Sequence, residues 1–165
     1  MSKPLHHKHL IVRAEVLETP TVEVEAEAAL SELISAVGMV PMIGPLAKYC
    51  PMEGNEGITA VAIIETSHVV LHAWDACDPK MIQLDVYTCG ELDPEIVFDW
   101  LKRFSPLAVS HKFIDREYNL KMVPYDRKTI YEGESQDDAS EAHSPPVRCL
   151  SIFCGWEVDI LIKTP

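Results

Sequence analysis

A series of strand-forming runs between residues 58 and 88 restricts the fold of this chain more than any other feature. Ile58–Thr66 and His68–Trp74 are rich in β-branched residues, and Met81–Thr88 alternates strictly between its two faces. Such alternation is typical of a strand with one buried and one open face. The runs therefore predict a sheet at the centre of the fold.

The flanking regions supply the remaining elements. His9–Glu18 is a strand pattern that precedes an amphipathic helix, and Val40–Tyr49 is a weaker extended stretch. Asp93 as the cap and Pro94 at the first position begin a second helix, and Val109–Tyr118 is a last strand. The order β-α-β-β-β-β-α-β predicts an α+β fold, a two-layer sandwich whose antiparallel β-sheet carries two helices on one face.

The 165 residues, of which 47% are hydrophobic, suffice for one domain with a core. We expect residues 1–131 to form that domain. Residues 132–146 (EGESQDDASEAHSPP) have the composition of an acidic flexible linker, and residues 147–165 return to strand-like composition.

The net charge of −12 excludes some partners and favours others. Lysine and arginine form no cluster that would hold a phosphate backbone, so we expect no nucleic-acid binding. No apolar run approaches the ~20 residues that span a membrane, and the first residues do not resemble a signal peptide, which predicts a cytoplasmic protein. The negative field favours a small cationic substrate, although acidity that serves only solubility is the alternative.

The segment IIETSHVVLHAWD places Ser67, His68 and His72 in an otherwise apolar strand. Either these polar residues face water, or the strand carries catalytic groups. Taken alone, His72 is better explained by a partly buried histidine satisfied by a backbone carbonyl. Ser67 with His72 suggests a nucleophile and its base, but no G-x-S-x-G turn supports a hydrolase.

Cys89 falls on the polar face of its strand, with Gln83, Asp85 and Tyr87, directly before Gly90. A structural cysteine is expected on the apolar face instead, so this position favours a functional thiol.

A zinc site requires three or four suitably arranged ligands. The histidines of HHKH lie near the chain start, and Cys149 and Cys154 have no matching pair, so we expect no metal.

Three sequence elements follow one another in order: KHLIVRAE, then ETSHVVLHAW, then LDVYTCGELDP. Together they resemble the small bacterial and archaeal S-adenosylmethionine decarboxylases. The resemblance covers roughly Lys8–Tyr118.

The resemblance implies a proenzyme that makes its own pyruvoyl cofactor. The Ser67 hydroxyl attacks the Thr66 carbonyl, the chain is cut between them, and the former serine becomes a pyruvoyl group that forms a Schiff base with the substrate. His72 matches the processing base, Thr59 a polarising hydroxyl and Cys89 the proton donor.

The spacing of these residues makes two geometric predictions. Thr59 and Ser67 share parity along one extended run, so their hydroxyls are expected on the same face. Ser67 and His72 are five positions apart and point to opposite faces of a regular strand, so their cooperation requires a bend or a new strand start near His68.

The chain departs from the family pattern around the substrate. Thr66 replaces the glutamate that usually precedes the processing serine. Asp75 lies one position before the usual ribose-binding acid, where Ala76 stands, and Tyr49 is the candidate for the aromatic residue that stacks on adenine. Self-processing is therefore better supported than adenosine recognition.

We predict a pyruvoyl-dependent S-adenosylmethionine decarboxylase of spermidine and polyamine biosynthesis, acting as a homodimer of processed protomers. The same machinery acting on arginine or ornithine is the first alternative, and a catalytically inactive regulatory relative of a polyamine enzyme is the second.

Overall fold

The structure of the protein is a computed structural model that describes residues 6–117 and 119–125. Within this part of the chain it contains strands and helices in the order β1 Lys8–Val16, α1 Glu23–Ala36, β2 Pro41–Cys50, β3 Gly57–Ile64, β4 Ser67–Trp74, β5 Lys80–Thr88, α2 Pro94–Leu101, a 3-10 turn Lys102–Phe104, β6 Pro106–Asp115 and β7 Lys121–Met122. The predicted linker and C-terminal extension, residues 132–165, lie outside the described residues.

The strands form one sheet in the order β2-β3-β4-β5-β1-β6-β7, and all neighbours run antiparallel. Strands β2 to β5 follow one another as hairpins. Strand β1, the first in the sequence, lies between β5 and β6. The predicted antiparallel sheet is confirmed.

Both helices cover the same face of this sheet and enclose a single core. The core includes alternate residues of the central strands and the apolar faces of the helices, among them Leu10, Val12, Leu71, Leu84, Leu30, Leu33 and Phe98. The helices are joined by a hydrogen bond of 3.0 Å from Trp100 Nε1 to the Ala29 carbonyl. The predicted two-layer α+β sandwich is therefore confirmed.

Local sequence signals set the helix ends. The Asp93 side chain accepts a hydrogen bond of 3.0 Å from the Glu95 backbone N–H, with Pro94 at the first helical position, as predicted. Helix α1 is followed by Gly38 at φ +72°, and the backbone N–H of Met39 returns to the Ile34 carbonyl at 3.0 Å. Only glycine adopts this left-handed conformation without steric cost, which ends the helix there.

The face of the sheet opposite the helices, called the open face below, is not covered by any element within residues 6–117 and 119–125. Its outer strands expose apolar side chains, namely Ile43, Leu46, Val61 and Ile63. Its central strands carry histidine, aspartate and tyrosine side chains instead. In the part of the chain that the structure describes, no helix is long and apolar enough to cross a membrane.

Candidate active site

The turn between β3 and β4 brings Ser67 and Cys89 together. Ser67 Oγ donates a hydrogen bond of 3.0 Å to the Glu65 carbonyl oxygen, and Cys89 Sγ donates one of 2.7 Å to the same oxygen. Ser67 is only 8% exposed. Thr88, buried beside Cys89, donates from Oγ1 to the Gly90 carbonyl at 2.9 Å and fixes the end of β5. The hydroxyl and the thiol are therefore close neighbours.

Thr66, the residue before Ser67, is held in a strained conformation. The turn consists of Glu65 and Thr66 alone, because Ile64 pairs directly with Ser67. Thr66 has φ +52°, in the left-handed region that a β-branched side chain rarely adopts. Strain of this kind persists only where the surrounding structure enforces it and is concentrated at functional sites.

Thr59 and His72 form a second pair on the open face. They lie directly opposite each other on β3 and β4, and a hydrogen bond of 2.9 Å joins Thr59 Oγ1 to His72 Nδ1. The Trp74 ring lies beside the imidazole, with 5.8 Å between ring centroids. Burial lowers the pKa of His72, and the nearby Asp85 carboxylate only partly opposes this. The imidazole is thus neutral near pH 7 and can accept a proton.

The two pairs lie at opposite ends of the β3–β4 hairpin. His72 is five residues beyond Ser67 in a regular strand, which at ~3.3 Å per residue separates them by about 16 Å. Ser67 lies on the same face of β4 as the buried residues Val69 and Leu71, whereas His72 points to the open face. In one chain, therefore, His72 does not reach Ser67.

The first geometric prediction is wrong at this hairpin, whereas Ser67 and His72 do point to opposite faces of a regular strand, as expected. Thr59 and Ser67 do not share a face, because the chain reverses at residues 65–66 and Ser67 resumes the parity of Ile64 rather than that of Thr59. The strand does start afresh, but at Ser67 itself. No bend then separates Ser67 from His72, since β4 is continuous from Ser67 to Trp74.

Tyr49 and Asp75 form a third pair, at the same end of the sheet as His72. Tyr49 OH donates to Asp75 Oδ1 at 3.4 Å. Burial, followed by the Asp75 charge, raises the pKa of Tyr49, which keeps the phenol protonated. The Tyr49 ring packs partly buried against the core. Its placement beside Asp75 separates both candidate substrate residues from Ser67 within one chain.

A small cavity of about 170 Å³ lies next to His72. Its lining includes Asn55, whose Oδ1 accepts a hydrogen bond of 2.8 Å from Trp74 Nε1. Sequence reasoning did not identify Asn55, which follows a glycine in a polar loop without any motif. The cavity is smaller than the ~300 Å³ at which small-molecule pockets usually begin.

A histidine–aspartate cluster on the open face was also missed. Asp85 Oδ1 contacts His9 Nε2 at 2.8 Å and His68 Nε2 at 3.0 Å. The Tyr87 ring lies against both imidazoles, and its hydroxyl contacts His7 Nδ1 at 2.8 Å. Partial burial would raise the pKa of Asp85, but the hydrogen bonds and charges of the two histidines outweigh it and hold that pKa below its usual value. Asp85 is therefore an ionised carboxylate that joins three strands.

None of these clusters has the arrangement of a metal site. Within residues 6–117 and 119–125, no group of three or more His, Cys, Asp or Glu side chains is placed to hold an ion.

Comparison with known proteins places these residues in a family. The family model described as S-adenosylmethionine decarboxylase matches residues 9–117. The chain belongs to the S-adenosylmethionine decarboxylase family. Both the turn at Ser67 and the strand end at Cys89 lie within the matched region, and the resemblance found in the sequence is confirmed.

Curated members of the family match shorter stretches. The S-adenosylmethionine decarboxylase proenzyme of Pyrobaculum islandicum is 38% identical over 64 residues, 38% of this chain and 50% of that protein. The proenzyme of the same name from Bacillus velezensis is 37% identical over 54 residues, 33% of this chain and 38% of that protein. An arginine decarboxylase proenzyme from Caldivirga maquilingensis is 34% identical over 62 residues, 36% of this chain and 45% of that protein. The chain thus spans about half the length, or less, of these relatives.

A solved structure of the family shares the fold. The crystal structure of the adenosylmethionine decarboxylase from Aquifex aeolicus superposes with a TM-score of 0.50 at 18% identity, covering 81% of this chain and all (100%) of that one. At this identity the likeness concerns the architecture of sheet and helices.

Proposed function

We propose that this protein is a self-processing, pyruvoyl-dependent decarboxylase that acts on S-adenosylmethionine in polyamine biosynthesis in the cytoplasm. The main support for the proposal is one hydrogen-bond arrangement: the Ser67 hydroxyl and the Cys89 thiol both donate to the Glu65 carbonyl oxygen, next to the strained Thr66. Nucleophile, scissile residue and proton donor are thereby adjacent. The proenzyme names of the relatives support the same reading.

Self-processing begins at the bond between Thr66 and Ser67. Ser67 Oγ attacks the Thr66 carbonyl carbon, the C–N bond breaks, and an ester replaces the amide while the Ser67 nitrogen becomes an amine. A base then removes the Ser67 Cα proton, and the Cβ–O bond breaks to release Thr66 as a carboxylate. Addition of water and loss of ammonia leave a pyruvoyl group. The neutral imidazole of His72 is suited to the proton removal, and Thr59 holds that ring in place.

The residues around Ser67 fit such a group. A pyruvoyl carbonyl supplies an electron sink for the electrons released by decarboxylation. Cys89 already contacts the turn at the cut, so its thiol is placed to deliver a proton to the substrate carbon that loses carbon dioxide. Tyr49 and Asp75 are our candidates for the substrate-binding residues.

The distance between Ser67 and His72 leads us to propose a site shared between two copies of the chain. A two-fold axis perpendicular to the β3–β4 hairpin reverses the strands of the second copy, so the turn of one hairpin faces the Thr59–His72 end of the other. The exposed apolar residues of the open face, including Leu46, Val61 and Ile63, suit such a contact. Each active site of the homodimer would then take its processing base from the second copy.

Mass measurement tests the cut directly. We expect the fragments Met1–Thr66 and Ser67–Pro165, the second without a free amino group and lighter than its sequence mass. Ser67→Ala should abolish the cut, whereas Ser110→Ala, on the exposed surface of β6, should leave it unchanged. A homogeneous chain that stays uncut after long incubation would refute the enzyme and favour a regulatory relative.

Mixing two inactive variants tests the shared site. When Ser67→Ala and His72→Ala chains with different tags are co-expressed, the His72→Ala chain should be cut, because its serine meets the histidine of the other copy. If the base acts within its own chain, neither variant is cut. Light scattering that finds only single protomers at micromolar concentration would also contradict the shared site.

Arginine is a second candidate substrate. The cavity beside His72 is small, Asp75 is engaged by Tyr49, and Ala76 stands where the family has its ribose-binding acid. An arginine decarboxylase proenzyme is among the relatives. Release of labelled carbon dioxide from carboxyl-labelled S-adenosylmethionine, arginine and ornithine, compared on one preparation, would distinguish these substrates.

A further inference from the structure

Self-cleavage would create a new chain end that the backbone holds on one side only. Ser67 pairs with Ile64 on β3, but the pairing of β4 with β5 begins one residue later, at His68 and Tyr87. After the cut, Ile64 lies two residues before the new C-terminus at Thr66. His68 is therefore the first residue of the new chain with strand partners on both sides.

The side chain of His68 is tied to two further strands. Its Nε2 donates to Asp85 Oδ1 on β5 at 3.0 Å, and His9 on β1 contacts the same oxygen at 2.8 Å. The Tyr87 ring lies edge-on to the His68 ring with 5.7 Å between centroids, and the Arg116 guanidinium lies 4.1 Å from the centre of Tyr87. One carboxylate thus holds β4, β5 and β1 together next to the expected cut.

We propose that Asp85, held between His9 and His68, is a positioning residue that keeps the cut end of β4 aligned with Cys89. This inference rests on the self-cleavage proposed above. Cys89 follows Tyr87 by two residues, directly after the end of β5, so the pairing of His68 with Tyr87 determines where residue 67 lies relative to the thiol. Because a slip of one residue turns every side chain of a strand to the other face, a loose end would carry the reactive group away from Cys89.

We expect the loss of the Asp85 carboxylate to disturb the alignment of β4 more after the cut than before it. In the uncut chain, the turn at residues 65–66 holds Ser67 against Ile64 whether or not Asp85 is present. In the cut chain that covalent connection is lost, and the charge-assisted hydrogen bond to His68 carries more of the alignment. A residue with a merely structural role would affect both forms equally.

Hydrogen exchange of the first amides of β4 provides the test. Asp85→Ala should raise the exchange of residues 69–71 about tenfold in the cut protein, the scale of losing one charge-assisted bond. In the Ser67→Ala background, which stays uncut, the same change should have a much smaller effect. Asp85→Asn, which keeps an acceptor for His68, should give an intermediate exchange rate and serves if Asp85→Ala does not fold. Glu15→Ala is the matched control, since Glu15 is a carboxylate on β1 that contacts Arg13 and not a histidine.

A second readout follows the alignment itself. If the end is misplaced, the proton that follows loss of carbon dioxide would go to the former Ser67 Cα instead of the substrate carbon. Water would then release the rest of the substrate as an aldehyde and leave the substrate nitrogen on the chain as a terminal alanine, which the mass of the second fragment reveals. Asp85→Ala should increase the alanine-ended fraction formed per turnover several-fold relative to Glu15→Ala. Equal exchange effects in cut and uncut forms, or an unchanged alanine fraction, would overturn the role of Asp85. A wild-type chain that is never cut would instead refute the proposed function, and the positioning role with it.

Discussion

Replacing Thr66 by glycine separates backbone strain from side-chain chemistry at the bond that we propose is cut. Thr66 has φ +52°, and the left-handed region costs a residue with a Cβ roughly 1–2 kcal/mol. Glycine adopts this conformation without that cost. If the strain of the uncut chain is released on the way to the ester, Thr66→Gly should slow cleavage. At about 1.4 kcal/mol per tenfold in rate, the expected slowing is about 5- to 30-fold.

The assay is a pulse of cell-free translation followed by a chase, with the uncut fraction measured by denaturing electrophoresis. Thr66→Asn should also cut slowly, because asparagine tolerates the left-handed region better than threonine. Ser105→Gly is the control: Ser105 also has a positive φ, +48°, but it lies between the 3-10 turn and β6, which β5 and β1 separate from the hairpin in the sheet. It should cut at the wild-type rate. Equal cleavage rates for Thr66→Gly and the wild type would refute the strain argument.

Three further outcomes are expected. Cys89→Ala should still be cut but lose most decarboxylation, measured as labelled carbon dioxide; full activity would mean that another group delivers the proton. Because burial lowers the pKa of His72 below 6.5, the cleavage rate should stay constant as the pH falls to about 6.5. It should decrease only in more acidic buffer, where His72 gains a proton. A decrease that begins above pH 7 would contradict this. Leu71→Ala, at a fully buried position of β4, should lower the free energy of unfolding by about 2–5 kcal/mol in the uncut Ser67→Ala background, as urea titration would show.

The parts of the fold that the sequence predicts correctly are those determined locally. Residues along β5 alternate between buried and partly exposed as predicted, and the cap at Asp93 fixes the start of α2. Strand β7 was not predicted, because two residues are too few for a periodic pattern. The face of Ser67 was predicted wrongly, because parity was counted through Glu65 and Thr66 as if the chain continued straight.

Contacts between strands that are distant in the sequence could not be predicted from local sequence patterns. His9 meets Asp85 only because β1 inserts between β5 and β6, and neither residue signals that pairing. Similarly, the pairing of Thr59 with His72 depends on the length of one turn. Candidate residues were identified by type and motif, whereas their grouping into pairs required the strand register.

The strand order has a consequence for the stability of a cut protein. The first fragment would contain β1, β2 and β3, and the second β4, β5 and β6, so β1 of the first fragment lies between two strands of the second. The fragments could not separate without breaking hydrogen bonds on both sides of β1. Unfolding of one cut protomer would nevertheless release two fragments instead of one chain. The melting temperature of the cut protein should therefore rise with its concentration, even without dimerisation. Refolding from urea should likewise become a second-order reaction, whereas the uncut Ser67→Ala chain can reassemble the same sheet alone.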